Sequence, residues 1–272
     1  MSKLDDLFLS AGDTGPLPAT LPVRIDTAGA SEAVLLLHGY TGNPAELVPV
    51  GKALADAGYA ISIPRYPGHG TCRSDFLKTD AMDWARSAFD AYMDLRARYG
   101  TVHVVGHSMG GLLAAAVAAA FASPRLVLFA PAFITARRDL ALAPWIAPFK
   151  PVIRKGNVPS ELDRNDPTRR LLHPEYWADD LVVQAAQLRR TQLAARRVLP
   201  RLRSRILVIA ADADQSVPAS VVDWLRPRTP AAASFDSRVL TGAGHLFPFD
   251  ERAAETIAIV TEWMGSEHAA AY

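Results

Sequence analysis

The chain has 272 residues, 50% hydrophobic and 21% charged, with a formal net charge of +1. That length can bury a core needing neither disulfides nor a metal, and the single cysteine, Cys72, has no partner for a bridge. Near-neutral charge excludes a general nucleic-acid binder, whose phosphate contacts need a large basic excess. The longest apolar run, Leu112–Ala122, is alanine-rich and far short of the roughly 18 residues of a stable membrane span. The start, MSKLDDLFLSAGDTG, lacks an apolar signal region, so the expected compartment is the cytoplasm.

The first apolar run, Val34–Leu37, is followed by the polar turn His38-Gly39-Tyr40. Helical spacing over Ala45–Ala57 stops at Gly58, a second run spans Ala60–Ile63, and helical spacing resumes over Asp80–Tyr99 up to Gly100. Further runs follow at Val102–Val105, Leu126–Phe129, Ile206–Ile209 and Ser234–Leu240. Short runs bounded by Gly and Pro, alternating with helices, predict buried strands paired in parallel, because parallel neighbours need a crossover. The fold class expected is therefore α/β, a mostly parallel sheet flanked by helices on both faces.

Between Ala136 and Arg205 the composition changes. This stretch holds fifteen Lys/Arg and seven Asp/Glu, a local +8 that leaves −7 for the remainder, and it contains no strand-like apolar run. It reads as a helical insertion, giving a core of 1–134 and 205–272 and a helical cap over 135–204. Its apolar part, Leu140–Phe149, is broken by Pro144 and Pro148; it would line a pocket, touch lipid or simply pack on the core. Its arginine pairs, Arg137-Arg138 and Arg196-Arg197, would steer anionic substrates or form a solvated helix face.

Ligands of such sheets collect at the carboxyl ends of the strands. There Gly106-His107-Ser108-Met109-Gly110 matches G-x-S-x-G between an apolar strand and an alanine-rich helix, which makes Ser108 the candidate nucleophile. The bland alternative is a serine that merely caps the helix. A serine hydroxyl needs a base, and His245, after Gly242-Ala243-Gly244 behind the last run, stands in the right chain order. His38 and His107 adjoin the site turns and are expected to hydrogen-bond locally, His103 to pack within a strand, and His69 to organise its loop. Two carboxylates compete to orient the base: Asp212, and Asp214, which opens a polar turn 31 residues before His245. Oxyanion donors are expected from the backbone N–H groups of Met109 and Tyr40.

Together Leu36-Leu37-His38-Gly39-Tyr40-Thr41-Gly42, Gly68-His69-Gly70, Gly106–Gly110, Asp214 with Val217-Pro218, and Gly244-His245 resemble an α/β-hydrolase. Within that superfamily they look like the small bacterial carboxylesterases and monoacylglycerol lipases. The resemblance favours Asp214 over Asp212, which is then a turn-former, and implies a Ser108-Asp214-His245 triad with an oxyanion hole from Tyr40 and Met109. It implies hydrolysis of short-to-medium acyl esters or monoglycerides with no metal or organic cofactor. Thioesters, amides and carbon–carbon bonds remain open on the same triad, as does a silent ligand-binding module. An apolar cap edge would serve a lipid surface and a homodimer equally.

Overall fold

The computed structural model describes Asp5, residues 15–155 and residues 166–266. The start of the chain read for a signal, Asp5 and Gly15 aside, the last six residues of the core span and 156–165 of the insertion lie outside them.

All six apolar runs fall within strands. In chain order the elements are β1 (Val23–Ile25), β2 (Glu32–Leu37), α1 (Val48–Asp56), β3 (Ala60–Ile63), α2 (Arg73–Phe76), α3 (Ala81–Arg96), β4 (Thr101–His107), α4 (Met109–Phe121) and β5 (Arg125–Phe129). After β5 come α5 (Ala143–Ile146), β6 (Val152–Arg154), α6 (Pro167–Tyr176), β7 (Asp179–Leu181) and α7 (Val182–Val198). The chain closes with β8 (Arg205–Ala211), α8 (Val221–Leu225), β9 (Ser234–Leu240) and α9 (Ala253–Gly265).

Seven strands form one sheet in the order β1-β3-β2-β4-β5-β8-β9, parallel except for β1, which runs antiparallel to β3. Central strands β4 and β8 are buried on both faces, as near-continuous apolar runs demand. Helices α1 and α9 pack together, and α4 packs with α3 and α7. The fold is α/β, as expected. The three-residue edge strand β1 was not anticipated.

Helix ends follow local chemistry. Asp80 caps α3 through a reciprocal capping box with Asp83, and the helix ends at Arg96, before the predicted Tyr99. The segment read as one helix from Ala45 divides into a 3-10 turn, Pro44–Leu47, and α1. Gly58, at φ +97°, supplies the left-handed stop after α1.

Residues 135–204 leave the sheet after β5 and return at β8, its hydrogen-bonded neighbour. The expectation of helices alone there needs correction: β6 and β7 pair as an antiparallel ribbon, Val152 opposite Leu181 and Arg154 opposite Asp179. Three-residue strands carrying Arg and Asp leave no apolar run to detect.

Helix α4 lies very close to the sheet. A Cβ on Gly110 would come within 1.9 Å of the Leu37 carbonyl oxygen, and one on Gly106 within 2.3 Å of the Gly110 carbonyl oxygen. Both clashes are with backbone, which cannot swing aside. Gly110→Ala is therefore expected to cost about 1–3 kcal/mol or more of unfolding free energy, read by urea denaturation; an unchanged midpoint would refute this close packing.

Candidate active site

One residue separates β4 from α4. Ser108 adopts φ 54° and ψ −114°, a conformation costly for a residue with a Cβ, of order 1–3 kcal/mol. Its backbone is pinned on both sides: its N–H donates to the Phe129 carbonyl at 2.9 Å, and its carbonyl accepts from Gly111 (3.1 Å) and Ala132 (3.0 Å). The hydroxyl makes no capping bond to the helix. Instead Ser108 Oγ lies 3.0 Å from His245 Nε2. The capping alternative does not describe this serine.

On its other side His245 Nδ1 lies 2.6 Å from Asp214 Oδ2. An ionised Asp214 only accepts, so Nδ1 carries the proton and Nε2 is free to accept from the Ser108 hydroxyl. Asp214 Oδ1 in turn accepts from the N–H groups of Ser216 (2.7 Å) and Val217 (2.9 Å). Burial pushes this carboxyl up, but His245 and the two N–H groups outweigh burial and hold it below the ordinary carboxylate range. Asp212 is spent elsewhere, its Oδ1 accepting from Gly242 N–H at 2.6 Å in the turn after β9.

The remaining histidines divide as read. His38 Nδ1 donates to the Gly39 carbonyl at 3.0 Å, and buried His69 donates to Pro67 at 3.1 Å with its ring against Tyr66, Phe76 and Trp84. His103 is buried within β4, 3.1 Å from Glu32 Oε2. His107 Nε2 donates to the His245 carbonyl at 2.9 Å, tying the Ser108 turn to the His245 loop. Burial pushes His107 down to about 3, so the ring is neutral.

Sequence reasoning missed Glu46 and Arg169. Glu46 lies just past the His38–Gly42 turn, with its side chain 6% exposed; Oε2 is 3.9 Å from His107 Nδ1 and Oε1 is 3.6 Å from Arg169 Nη1. Burial pushes its carboxyl up to about 7, against the pull of Arg169, His245 and the N–H groups of Gly39 and Asn43. Arg169, on α6, also lies over the Trp177 ring at 4.3 Å. The one signal for Glu46 was an acid set between Ala45 and Leu47 immediately after a strand-end turn.

Ser108 and His245 open into a cavity of about 500 Å³. Tyr40 lines it too, its ring against Phe76 and Trp84. Met109 is the first residue of α4, so its N–H has no intrahelical acceptor. The far wall comes from residues 135–204 and joins an apolar part, including Leu140, Ala143, Ile146, Leu181 and Leu188, to the charged Arg137, Asp139, Arg169 and Asp180. The opposite side of Leu140–Phe149 faces solvent, with Trp145 78% and Phe149 86% exposed. Of the arginines singled out earlier, Arg137 pairs with Asp139 and Asp180, and Arg196 donates to the Phe133 carbonyl over the Trp224 ring. Among the described residues, no group of three or more His, Cys, Asp or Glu is placed to hold a metal ion, and no helix is long and apolar enough to cross a membrane.

The lowered Asp214 carboxyl carries a stability consequence. Its contribution is fully present above the unfolded value of about 3.9 and is lost as pH falls through the lower folded value. Asp214→Asn should thus be less stable than wild type at pH 7, with the gap closing on acidification below about pH 4. Thermal melts across that range check this; a gap independent of pH would contradict it.

A sequence profile of the alpha/beta hydrolase family matches residues 34–259. A thermostable monoacylglycerol lipase from Bacillus sp. (strain H-257) is 45% identical over 80 residues, 29% of this chain and 32% of that protein. A carboxylesterase from Bacillus subtilis (strain 168) is 38% identical over 85 residues, 31% of this chain and 35% of that protein. The matched stretches thus span about a third of each curated relative. Among solved structures, a metagenome-derived lipolytic enzyme superposes with a TM-score of 0.79 at 22% identity, covering 92% of this chain and 99% of that one. A monoacylglycerol lipase from Paleococcus ferrophilus gives 0.70 at 19% identity, covering 89% and 97%. With the family profile spanning most of the sheet and every strand-end turn described above, the chain belongs to the alpha/beta hydrolase family.

Proposed function

We propose that the chain is a serine hydrolase that cleaves carboxylic esters, short-to-medium acyl esters or monoacylglycerols, through an acyl-enzyme on Ser108. The observation that carries this reading is the continuous hydrogen-bond chain from Ser108 Oγ through His245 to Asp214, at 3.0 and 2.6 Å, opening into an apolar-walled cavity. The partial matches to a monoacylglycerol lipase and a carboxylesterase support the same bond class.

His245 Nε2 takes the Ser108 proton as Oγ attacks the ester carbonyl, and Asp214 stabilises the imidazolium formed. The tetrahedral oxyanion is met by the N–H groups of Met109 and Tyr40. Collapse breaks the bond to the alcohol, which leaves with the proton from His245; water then attacks the acyl-enzyme by the same route, releasing acid and restoring Ser108. Residues 135–204 act as the cap, and their inner apolar wall takes the acyl chain. The outward row of Leu142, Trp145 and Phe149 would suit a lipid surface or a second copy of the chain equally.

Hydrolysis of p-nitrophenyl esters from acetate to palmitate tests the reading. Wild type is expected to favour short or medium chains, and Ser108→Ala to lose roughly four orders of magnitude in kcat or more with its melting temperature maintained. Full activity in Ser108→Ala would sink the assignment. Fluorophosphonate labelling of Ser108 without ester turnover would shift the bond to a thioester, amide or carbon–carbon bond, and absence of both would leave a ligand-binding module.

A further inference from the structure

Glu46 is buried beside the site yet has no place in the acyl-transfer steps above. Three separate parts of the site converge on its carboxylate. The N–H groups of Gly39 and Asn43, at either end of the loop that holds Tyr40, favour its ionised form. A Cβ on Gly42, inside that loop, would meet Glu46 Oε2 at 2.3 Å, so a side chain there would have to displace the carboxylate. From the Ser108 turn, neutral His107, which donates through Nε2 to the His245 carbonyl, turns the unprotonated Nδ1 toward it at 3.9 Å. From residues 135–204, Arg169 approaches to 3.6 Å.

We infer that Glu46 is a positioning residue: its carboxylate fixes the Gly39–Asn43 loop, and with it the Tyr40 N–H, against the Ser108 turn and the His245 loop. The inference rests on the ester hydrolysis proposed above. A carboxyl group is suited to this place because Oε1 can face Arg169 while Oε2 faces His107 and the Gly42 backbone. Both its principal charged neighbour, Arg169, and the loop amides stabilise it where burial alone would not. His107, His245 and Tyr66 are the other titratable groups that face or sense it.

Oxyanion donors act on charge that develops in the transition state, so displacing one lowers kcat while leaving KM nearly unchanged. The test measures kcat and KM on p-nitrophenyl butyrate, per site titrated with a fluorophosphonate, for wild type, E46A, E46Q, G42A and G42A/E46A, and per protein for S108A. E46A is expected to lose about 10- to 100-fold in kcat, the scale of a misplaced catalytic group, with KM within about threefold. E46Q keeps the volume and an acceptor oxygen and should recover most of that loss. G42A pushes the carboxylate away without removing it and should lower kcat by itself. The double variant should be no worse than E46A, because the clash disappears with the carboxylate.

Near-normal kcat in both E46A and G42A would overturn the inference. So would E46Q as impaired as E46A, which would leave only charge on Arg169, or losses that multiply in the double variant. If E46A does not fold, G42A, which retains the carboxylate and its arginine, decides. If wild type turns over no ester, the rate of Ser108 phosphonylation gives the same comparison. Ser108-independent activity would sink the ester-hydrolase reading, whereas S108A dead with E46A normal would sink this inference alone.

Discussion

The site depends on how closely α4 approaches the sheet. Gly106 and Gly110 let the helix backbone pass against the ends of β2 and β4, where any side chain would strike a carbonyl. A chain that leaves β4 and enters a helix this close must reverse direction within one residue, so Ser108 is driven to φ 54°. Buried surroundings and the backbone bonds to Phe129, Gly111 and Ala132 over-determine that conformation and offset its cost. The result is a hydroxyl held at a strand end, pointing into a cavity, with a helix N-terminus directly behind it.

Two carboxylates near this turn show how position alone separates their behaviour. Asp214 and Glu46 both lose solvent, and burial pushes each upward. Asp214 has a short bond to His245 and two well-aimed N–H donors, which more than reverse the effect. Glu46 has a guanidinium at 3.6 Å, a neutral histidine at 3.9 Å and two loop amides, and burial wins. The first therefore stays ionised beside the imidazole through neutral pH, while the second sits close to its own midpoint.

Sequence made the strand ends legible because parallel strands buried on both faces are written as unbroken apolar runs, and the polar turns after them stand out by contrast. Ser108, His245 and the Asp212/Asp214 pair were found that way; only the coordinates show which aspartate reaches the imidazole and which one bonds Gly242. Strand β1 escaped because three residues at a sheet edge carry no period, and β6 and β7 because Arg154, Asp179 and Asp180 dilute them. Glu46 reads in one dimension as a first-turn acid favoured by a helix dipole. It meets Arg169, more than a hundred residues away, and no local pattern encodes that meeting.

The cavity also explains how residues 135–204 are attached. Leu140, Ala143 and Ile146, spaced by three, line the cavity, while Ala143 and Ile146 also pack with Val182 and Ala186 of α7. Directional bonds from its side chains to core backbone and turns act alongside the burial of Leu172, Tyr176, Leu181 and Ala195 in the main core. Tyr176 donates to the Gly68 carbonyl at 2.8 Å, Trp177 Nε1 to Thr41 Oγ1 at 2.9 Å, and Gln192 Nε2 to the Ala132 carbonyl at 2.6 Å, while Arg73 pairs with Asp179 at 2.7 Å. Each such bond contributes only about 1 kcal/mol net, but unlike apolar contact each fixes an angle as well as a distance. Thr41 and Ala132 lie next to Tyr40 and Phe133 in the turns that surround Ser108, so the bonds that hold the segment also set the height of its apolar wall above the serine. A wall held by hydrophobic packing alone would be free to settle into the space it is built to keep open.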